Sequence, residues 1–571
     1  MGGESTERWL VRIRESGESG EPLRPVLGAG LLLDSHHVLT CAHLLGDPEV
    51  RVRVEAARGY GRIESVPATV TDDGWIPRLD GDAYWGRIGD LALLRLERPL
   101  PAEWATVLHR LAPTRHRRVR LHGFPDHVER GFELEGHLGG PPGGDGRVQV
   151  HPDQHGAVVV AGFSGGAVVD RETGRVIGMV ASRVKDEELG ASFMIPVDTM
   201  IQYLPQLDPY VRGDSAADRG LLSEGVHRSE DEDVGLAQVL ARWLGDVGSA
   251  PVQAVRVAPY DHTRTQPLRR AISVATRSMP ARHRAERLTD LPPGTIPPVG
   301  SLDLAVDATR KTRAAVAERI ADRVGVRSGP GETPEDGLRR RPLPLTIAVH
   351  GVDRAADPAD LVALLGVLAE RGSRMLLVFH GDDPAARDTI VACLDFHFRF
   401  GAVARELTAC ADLARRGLPE RLRRVKDNEE PAARSVREAA GTFAVVVRAE
   451  RTVAALRTGD QGARSAWTPE SSAALLADLA RARALLDRAV DDLDDLSAER
   501  DDLRGLLLAA HAGVRGAPGG PDSPAPSRWA LDLSDRYIEA RDLLWRGPCD
   551  VPEARVAVGR YLEALQRKGT R

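Results

Sequence analysis

The chain has little cysteine, and no segment shows the features of secretion or membrane insertion. Its four cysteines are far apart and form no CxxC pair: Cys41, Cys393, Cys410 and Cys549. This spacing indicates neither a zinc site nor a disulfide framework. The first 16 residues, MGGESTERWLVRIRES, contain no apolar signal region, and no apolar run is long enough to cross a bilayer. We therefore expect a cytoplasmic, reduced protein with no membrane partner, in which Cys41 is a buried strand residue.

Concentrated positive charge is also missing. The net charge is −6, and the basic residues, almost all arginine, are dispersed along the chain. This distribution offers no electrostatic footprint for nucleic acid. The motif GxxxxGK[ST] occurs nowhere, so a standard phosphate-binding loop with its lysine is excluded. A length of 571 residues predicts two to four domains.

Residues 162–166, GFSGG, are typical of a serine nucleophile in a glycine turn. A serine hydroxyl needs a neighbouring base to take its proton, and it needs N–H groups to hold the oxyanion that forms. Glycines on both sides of Ser164 give the backbone the freedom to point two N–H groups at one place. Those donors would be the N–H groups of Gly162 and Ser164. By itself, the motif is equally compatible with a Ser/Gly turn between two strands.

Two upstream stretches favour the catalytic interpretation. Residues 38–43, VLTCAH, are a predicted strand that leads into His43, and residues 89–96, GDLALLRL, place Asp90 at the start of an apolar strand. The chain order is then His, Asp, Ser. Four other aspartates precede Asp90 in a polar segment that we predict to be a surface loop, residues 72–87: Asp72, Asp73, Asp80 and Asp82. We prefer Asp90 because a triad aspartate must be rigid and shielded from water.

On these three motifs, residues 1–205 resemble the trypsin-like serine proteases of the chymotrypsin fold. TCAH corresponds to the family motif TAAH, and GFSGG corresponds to GDSGG or GNSGG. The short spacings between the motifs are more similar to those of the bacterial HtrA-type branch than to those of the digestive enzymes. The resemblance implies an all-β double barrel in which His43 is the general base, Asp90 orients it and Ser164 attacks. Gly162 and Ser164 would form the oxyanion hole. The reaction needs no metal or other cofactor.

The resemblance also bears on substrate binding. It implies that the backbone of Ala181, Ser182 and Arg183 lines the substrate by strand addition. Phe163 stands where zymogens of the family have an aspartate, so activation by a new N-terminus is not expected. Residues 157–161, AVVVA, contain no acid, which favours a small or medium apolar side chain at the cleavage site over arginine or lysine.

Beyond the protease-like region, residues 206–250 are charged and contain Gly and Ser, which predicts a linker with one short helix at 236–244. Residues 251–435 show an α/β pattern. We predict strands at 299–307, 345–349 and 375–379, and helices at 311–324 and 358–371. Uninterrupted apolar strands alternating with helices indicate a parallel sheet.

The α/β block resembles the nucleotide-binding domain of STAND-type NTPases, through its strand order and the run AVHGVDRA at 348–355. In that comparison, His350 stands at the position of the Mg²⁺-organising aspartate and Arg354 at that of the catalytic acid. Together with the missing phosphate loop, these departures imply a degenerate P-loop-like domain without ATPase activity.

The C-terminal region is predicted to be helical. Residues 436–512 contain apolar residues at alternating spacings of 3 and 4: Leu479, Ala482, Leu486, Ala489, Leu493, Leu496, Leu503 and Leu507. This pattern is that of a coiled coil or of the core face of a helical bundle. Residues 513–530 are a Pro/Gly linker, and residues 531–571 form a helical hairpin. In the hairpin, Trp545 and Tyr561 are either exposed docking residues for a regulatory partner or packed within the chain.

The sequence thus predicts a multidomain protein: an N-terminal trypsin-like double barrel, a central P-loop-like α/β domain and a C-terminal helical region. We expect a cytoplasmic serine endopeptidase acting on a protein or peptide, regulated by its C-terminal domains in a bacterial defence or signalling system. The alternative is a non-catalytic peptide-binding or scaffold protein that retains the trypsin fold. Chemical labelling of Ser164 distinguishes the two.

Overall fold

The computed structural model describes most of the chain. The described residues are 8–16, 25–56, 64–80, 87–125, 128, 131–139, 146–153, 161–183, 192–223, 231–246, 248–279, 291–326, 329, 331–341, 344–515 and 528–567. They form two compact units, residues 1–398 (the first unit) and 399–571 (the second unit). Among the helices of these residues, none combines the length and the apolarity that crossing a bilayer requires.

Six strands close the first barrel, in the order β1-β2-β3-β8-β5-β4. The strands up to this point of the chain are β1 Leu10–Glu15, β2 Val26–Leu32, β3 His37–Thr40, β4 Val52–Ala56, β5 Glu64–Ile76, β6 Leu79–Asp80, β7 Arg87–Ile88 and β8 Leu91–Leu96. The predicted surface loop at 72–87 is shorter than expected. Strand β5 passes an irregularity between Val70 and Trp75 and pairs with β8 again, and β6 and β7 form a small hairpin.

The second barrel also closes six strands, in the order β13-β10-β11-β12-β15-β14, through the pairing of β13 with β14. Its strands are β10 Arg118–Gly123, β11 Phe132–Leu138, β12 Val148–Pro152, β13 Ala167–Asp170, β14 Val176–Arg183 and β15 Ser192–Pro196. Two short strands, β9 (Leu108–His109) and β16 (Val211–Arg212), extend the sheet beside β14, and helix α1 (Val197–Tyr203) follows β15. The predicted double barrel is confirmed.

The rest of the first unit is a parallel sheet between helices. The strands β17 Val252–Arg256, β18 Leu304–Asp307, β19 Thr346–His350 and β20 Arg374–Phe379 lie in the order β17-β20-β19-β18. One face is covered by α2 Val234–Gly245 and α3 His262–Ala275, the other by α4 Arg313–Val324, α5 Pro334–Arg340 and α6 Pro358–Glu370. All its strand pairs are parallel, as the uninterrupted apolar runs indicate. A P-loop-like classification stays a prediction.

The segment predicted as a linker, residues 206–250, is folded in the part that the structure describes. Its apolar side chains Leu221, Leu236, Leu240 and Trp243 are buried against the parallel sheet. Ala217 also pairs with Ala305 of β18 as an isolated bridge. The charged residues around these positions suggested a linker, but the apolar residues between them supply part of the core.

The second unit is helical, and the division from the first unit falls within α7. Its helices are α7 Pro384–Asp412, α8 Leu418–Leu422, α9 Ala432–Gly441, α10 Phe443–Arg457, α11 Gln461–Ala466, α12 Pro469–Arg515, α13 Arg528–Trp545 and α14 Val551–Gln566. Helix α12 packs against α9, α10, α13 and α14. Seven of its eight heptad residues are buried and Leu503 is half-buried, which favours the bundle interpretation over a separate coiled coil.

One of the two predicted docking residues of the C-terminal hairpin is in the core. Tyr561 is fully buried, and its hydroxyl lies 3.1 Å from His511 Nδ1. Of the two alternatives for Tyr561, packing within the chain is therefore the correct one, whereas Trp545 is about half exposed beneath the guanidinium of Arg504. A tyrosine buried with its hydroxyl partnered is a packing residue.

Two buried arginines join the α/β sheet to the second barrel within the first unit. Arg323, at the end of α4, donates to Asp198 Oδ2 of α1 at 2.7 Å and to the carbonyl of Arg110 at 3.0 Å. Arg117 donates to Asp170 Oδ1 of β13 at 2.9 Å and to the carbonyl of Val324 at 2.8 Å. The side chains of both ion pairs are 6 % exposed or less. The end of α4 is therefore bound to the protease-like region by ion pairs and hydrogen bonds that are shielded from water.

Removing one partner of such a pair leaves the other charge buried. We expect Arg323→Ala to lower the free energy of unfolding by about 3–5 kcal/mol. The matched control is Arg340→Ala, which breaks an exposed pair with Glu332 and should cost less than about 1 kcal/mol. Urea unfolding of the full chain, followed by circular dichroism, measures both. Equal losses for the two variants would show that the Arg323 pair is not structurally important.

Candidate active site

The ring of His43 is held by the carboxylate of Asp90. His43 lies in the short 3₁₀ turn Ala42–Leu44 that directly follows β3, and Asp90 directly precedes β8, the strand that pairs with β3. His43 Nδ1 lies 2.8 and 2.9 Å from the two carboxylate oxygens of Asp90, and the backbone N–H of His43 donates to Oδ1 at 2.9 Å. An ionised carboxylate accepts only, so Nδ1 carries the proton and Nε2 presents a lone pair.

The structure also separates Asp90 from its competitors. Asp90 is 4 % exposed, in a left-handed conformation with φ +72°, and its N–H is anchored on the carbonyl of Ile76 at 3.0 Å. Asp72 and Asp73 are exposed. Nothing is described of the side chain of Asp80, and Asp82 lies outside the described residues. A buried, anchored carboxylate is what the orientation of a catalytic histidine requires.

Ser164 lies at the top of a turn in which glycine is required. Gly162 and Gly165 have φ of +98° and +81°. A Cβ on Gly162 would lie 2.1 Å from the carbonyl oxygen of Phe124, and a Cβ on Gly165 would lie 2.0 Å from that of Ala29. Ser164 is partly exposed between buried neighbours, with Phe163 anchored in the core of the second barrel. The turn therefore presents the serine outward on a rigid base.

A single carbonyl ties the serine turn to the histidine turn. The oxygen of Val180, in β14, accepts from the N–H of Gly165 at 2.8 Å and from the thiol of Cys41 at 3.4 Å. Ala29, in the first barrel, reinforces the link, because its N–H donates to the carbonyl of Ser164 at 2.9 Å. Within the described residues, no hydrogen bond joins Ser164 Oγ to the His43 ring. Catalytic hydrogen bonds are often long without substrate.

Cys41 is a free, buried thiol, as predicted, although it follows β3 and is not part of it. Its link to Val180 was not predicted. The only signal in the sequence was the cysteine inside TCAH. Burial, reinforced by the negative charge of Asp90, raises the pKa of this thiol well above its usual value, so it remains protonated at neutral pH.

The same residues could be considered as metal ligands. Cys41, His43 and Asp90 place one ligand atom each within 4.8 Å of one another. However, the thiol is protonated and fully buried, and the Asp90 oxygens already accept from His43. A metal needs a thiolate and free carboxylate oxygens. A hydrogen-bonded dyad is therefore the better description.

The predicted oxyanion donors are available in the described part of the chain. Gly165 and Gly166 use their N–H groups on the carbonyls of Val180 and Phe163, whereas the N–H groups of Gly162 and Ser164 make no backbone hydrogen bond among the described residues. Two uncommitted N–H groups beside the serine hydroxyl are what an oxyanion hole requires.

Strand β14 offers an edge beside the serine turn. On one side it pairs with β15 as far as Arg183, but on the other side β13 covers only Val176 to Met179. Past Val180, no described strand occupies that edge. Apart from a long contact of 3.8 Å between the Cys41 thiol and the carbonyl of Ala181, the backbone of residues 181–183 can therefore pair with an extended peptide. The side chain of Ala181 is buried in the core, so only its backbone can contribute. The side chains of Ser182 and Arg183, and the pocket residues 157–160, lie outside the description.

Part of the chain is similar to known proteins. Residues 28–179 match the family model of the trypsin-like peptidase domain. They contain His43, Asp90 and Ser164. This stretch of the chain is similar to trypsin-like peptidase domains. No curated protein sequence matches the chain.

Three solved structures show similarity to the chain. One is the inactive form of the Rv3671c protease from M. tuberculosis H37Rv. It is 22 % identical over 36 % of this chain and 90 % of that one, with a TM-score of 0.24. Deg5 is 18 % identical over 37 % and 93 %, with a TM-score of 0.26. The HtrA-type protease AlgW with a decapeptide is 17 % identical over 37 % and 68 %, with a TM-score of 0.27. Similarity at this level carries no conclusion on activity.

The turn geometry can be tested with two glycines of the second barrel. Gly165→Ala would force a Cβ against Ala29, whereas Gly174→Ala has the same type of positive φ, +68°, but open space around it. We expect Gly174→Ala to cost only the strain of the left-handed backbone, about 1–2 kcal/mol. Gly165→Ala should also displace Ser164 and slow its reaction with a fluorophosphonate on the order of 100-fold. Equal labelling rates for the two variants would contradict the proposed turn.

Proposed function

We propose that the chain is a serine endopeptidase that uses His43, Asp90 and Ser164. The observation that carries the proposal is the His43–Asp90 pair, bound through both carboxylate oxygens, beside a serine turn that shares the Val180 carbonyl with Cys41. A turn that only connected two strands would need neither a buried aspartate on the histidine nor an outward serine between two uncommitted N–H groups. The match to a trypsin-like peptidase domain supports the same conclusion.

The proposed mechanism follows from the roles of these groups. His43 Nε2 takes the proton of Ser164 Oγ as the oxygen attacks the carbonyl carbon of the scissile peptide bond. Asp90 keeps the proton on Nδ1 and stabilises the imidazolium that forms. The oxyanion of the tetrahedral intermediate accepts from the N–H groups of Gly162 and Ser164. The imidazolium then protonates the leaving amine, and water hydrolyses the acyl-enzyme by the same steps.

We propose a protein or peptide substrate bound in extended form along residues 181–183 of β14. Main-chain hydrogen bonds to a strand edge supply affinity without regard to sequence, and side-chain pockets supply specificity. We also propose that residues 251–435 are a degenerate P-loop-like domain that acts on the protease rather than on ATP, and that the protein works in the cytoplasm. The C-terminal helices would receive a regulatory partner.

Labelling with a fluorophosphonate probe tests the catalytic proposal. The wild-type chain should be labelled once, and Ser164→Ala should abolish labelling. His43→Ala and Asp90→Asn should slow labelling, the latter by about 10⁴-fold, because the histidine then takes the wrong tautomer. A folded wild-type chain that resists labelling but binds extended peptides would contradict the proposal and favour the scaffold alternative.

The buried arginines predict that the protease-like region depends on the α/β sheet. A chain ending after residue 213 retains β16 but loses Arg323 and the Val324 carbonyl, so Asp198 loses its ion-pair partner and the apolar surface around Ala112 becomes exposed to water. We expect this fragment to be insoluble or partly unfolded, and we expect residues 1–398 to fold and label like the full chain. Soluble yield, circular dichroism and probe labelling compare the two fragments. Normal labelling of the shorter one would show that the barrels are autonomous.

A further inference from the structure

A pair of histidines lies at the carboxyl edge of the parallel sheet, remote in sequence from the candidate active site. His350 ends β19, and His380 directly follows β20, the neighbouring strand. Their rings meet edge to face, with centroids 4.6 Å apart, and their Nε2 atoms are 3.4 Å apart. In open parallel sheets, ligands bind outside the carboxyl ends of the strands. The two imidazoles therefore face the place where such a fold takes a ligand.

We propose that His350 and His380 bind one divalent transition-metal ion, of which Zn²⁺ is the prime candidate, through their Nε2 atoms. Zinc–nitrogen bonds are about 2.0–2.1 Å long, so nitrogens 3.4 Å apart subtend about 110° at a shared ion, close to the tetrahedral angle. If both rings were protonated, two N–H groups and two positive charges would repel each other at this distance. At least one ring is neutral and presents a lone pair. Imidazole nitrogen suits Zn²⁺, whereas Mg²⁺ prefers oxygen ligands.

The surroundings of the pair resemble a second coordination shell. Asp307, at the end of β18, places Oδ1 3.6 Å from His350 Nδ1, which is buried and has no hydrogen-bond partner among the described residues. Shortening this contact would fix the tautomer that leaves Nε2 free for the metal, as carboxylates do behind ligating histidines.

The loop that carries His380 is held as well. Both carboxylate oxygens of Asp353 accept from this loop, one from the N–H of His380 at 2.9 Å and the other from that of Gly381 at 2.7 Å. The backbone of His380 is thereby fixed before any ion arrives. With two protein ligands, the ion keeps two positions open for water.

Titration of the full-length, metal-free chain with Zn²⁺, and with Co²⁺ as a spectroscopic probe, tests this site. We expect one tight site per chain, a tetrahedral Co²⁺ absorption band, and at least a tenfold loss of affinity in His350→Asn and in His380→Asn. Asp307→Asn should weaken binding by about 10–100-fold, because it acts through His350. Circular dichroism checks that each variant is folded.

Two matched variants address two other histidine groups of the described chain. His43→Ala removes the group that includes Cys41 and Asp90, and His137→Asn removes the centre of a stack with His116 and His151. Both should retain the tight site and its Co²⁺ band. If the band survives in His350→Asn and His380→Asn, or is lost only in His43→Ala or His137→Asn, the proposal is wrong. Probe labelling of Ser164 is measured separately, so failure of the metal site leaves the protease proposal unaffected.

Discussion

The arrangement of the candidate active site depends on one carbonyl group in the second barrel. Val180 accepts from the residue after the serine and from the residue two places before the histidine. The serine belongs to one barrel and the histidine to the other. The position of this oxygen therefore sets the distance between the two turns. A carbonyl has two lone pairs and can satisfy both donors. The protonated thiol of Cys41 thus serves as a neutral spacer in a place where a charged group would disturb the Asp90–His43 pair.

The protease-like region makes buried contacts with residues further along the chain than its two barrels. Arg323 of α4 donates to a carboxylate and a carbonyl of the protease-like region. Arg117 of that region donates to Asp170 and to the Val324 carbonyl at the end of α4, and both ion pairs are buried. Surface contacts between independent domains are usually wetter and more polar at the rim. Asp170 ends the strand that begins three residues after Ser164, so the sheet reaches the serine turn through a short, rigid path. A continuous series of bonded and packed groups therefore connects the α/β sheet to the serine turn.

The sequence predicted local structure better than tertiary contacts. The strand before His43, the strand after Asp90 and the helix Arg313–Val324 follow from apolar periodicity and turn residues, which are local properties. The buried roles of Arg323 and Arg117 could not be predicted, because an arginine in an amphipathic helix or strand looks like a solvated residue until its partner is known. The same holds for the buried side chains of residues 206–250 and for the contact between His350 and His380.

The order of the parallel sheet has a consequence for synthesis on the ribosome. Strand β17 is an edge strand whose neighbour in the sheet is β20, so Val252 pairs with Met375. Of the four strands, β17 is synthesised first but cannot pair until β20, the last, has been synthesised. Helix α4 is likewise not covered by the sheet before β19 and β20 are in place. The barrels, although made first, carry Asp170 and Asp198 without their full set of partners during that interval. A nascent chain therefore completes the contacts of its second barrel late, after nearly 400 residues have been translated.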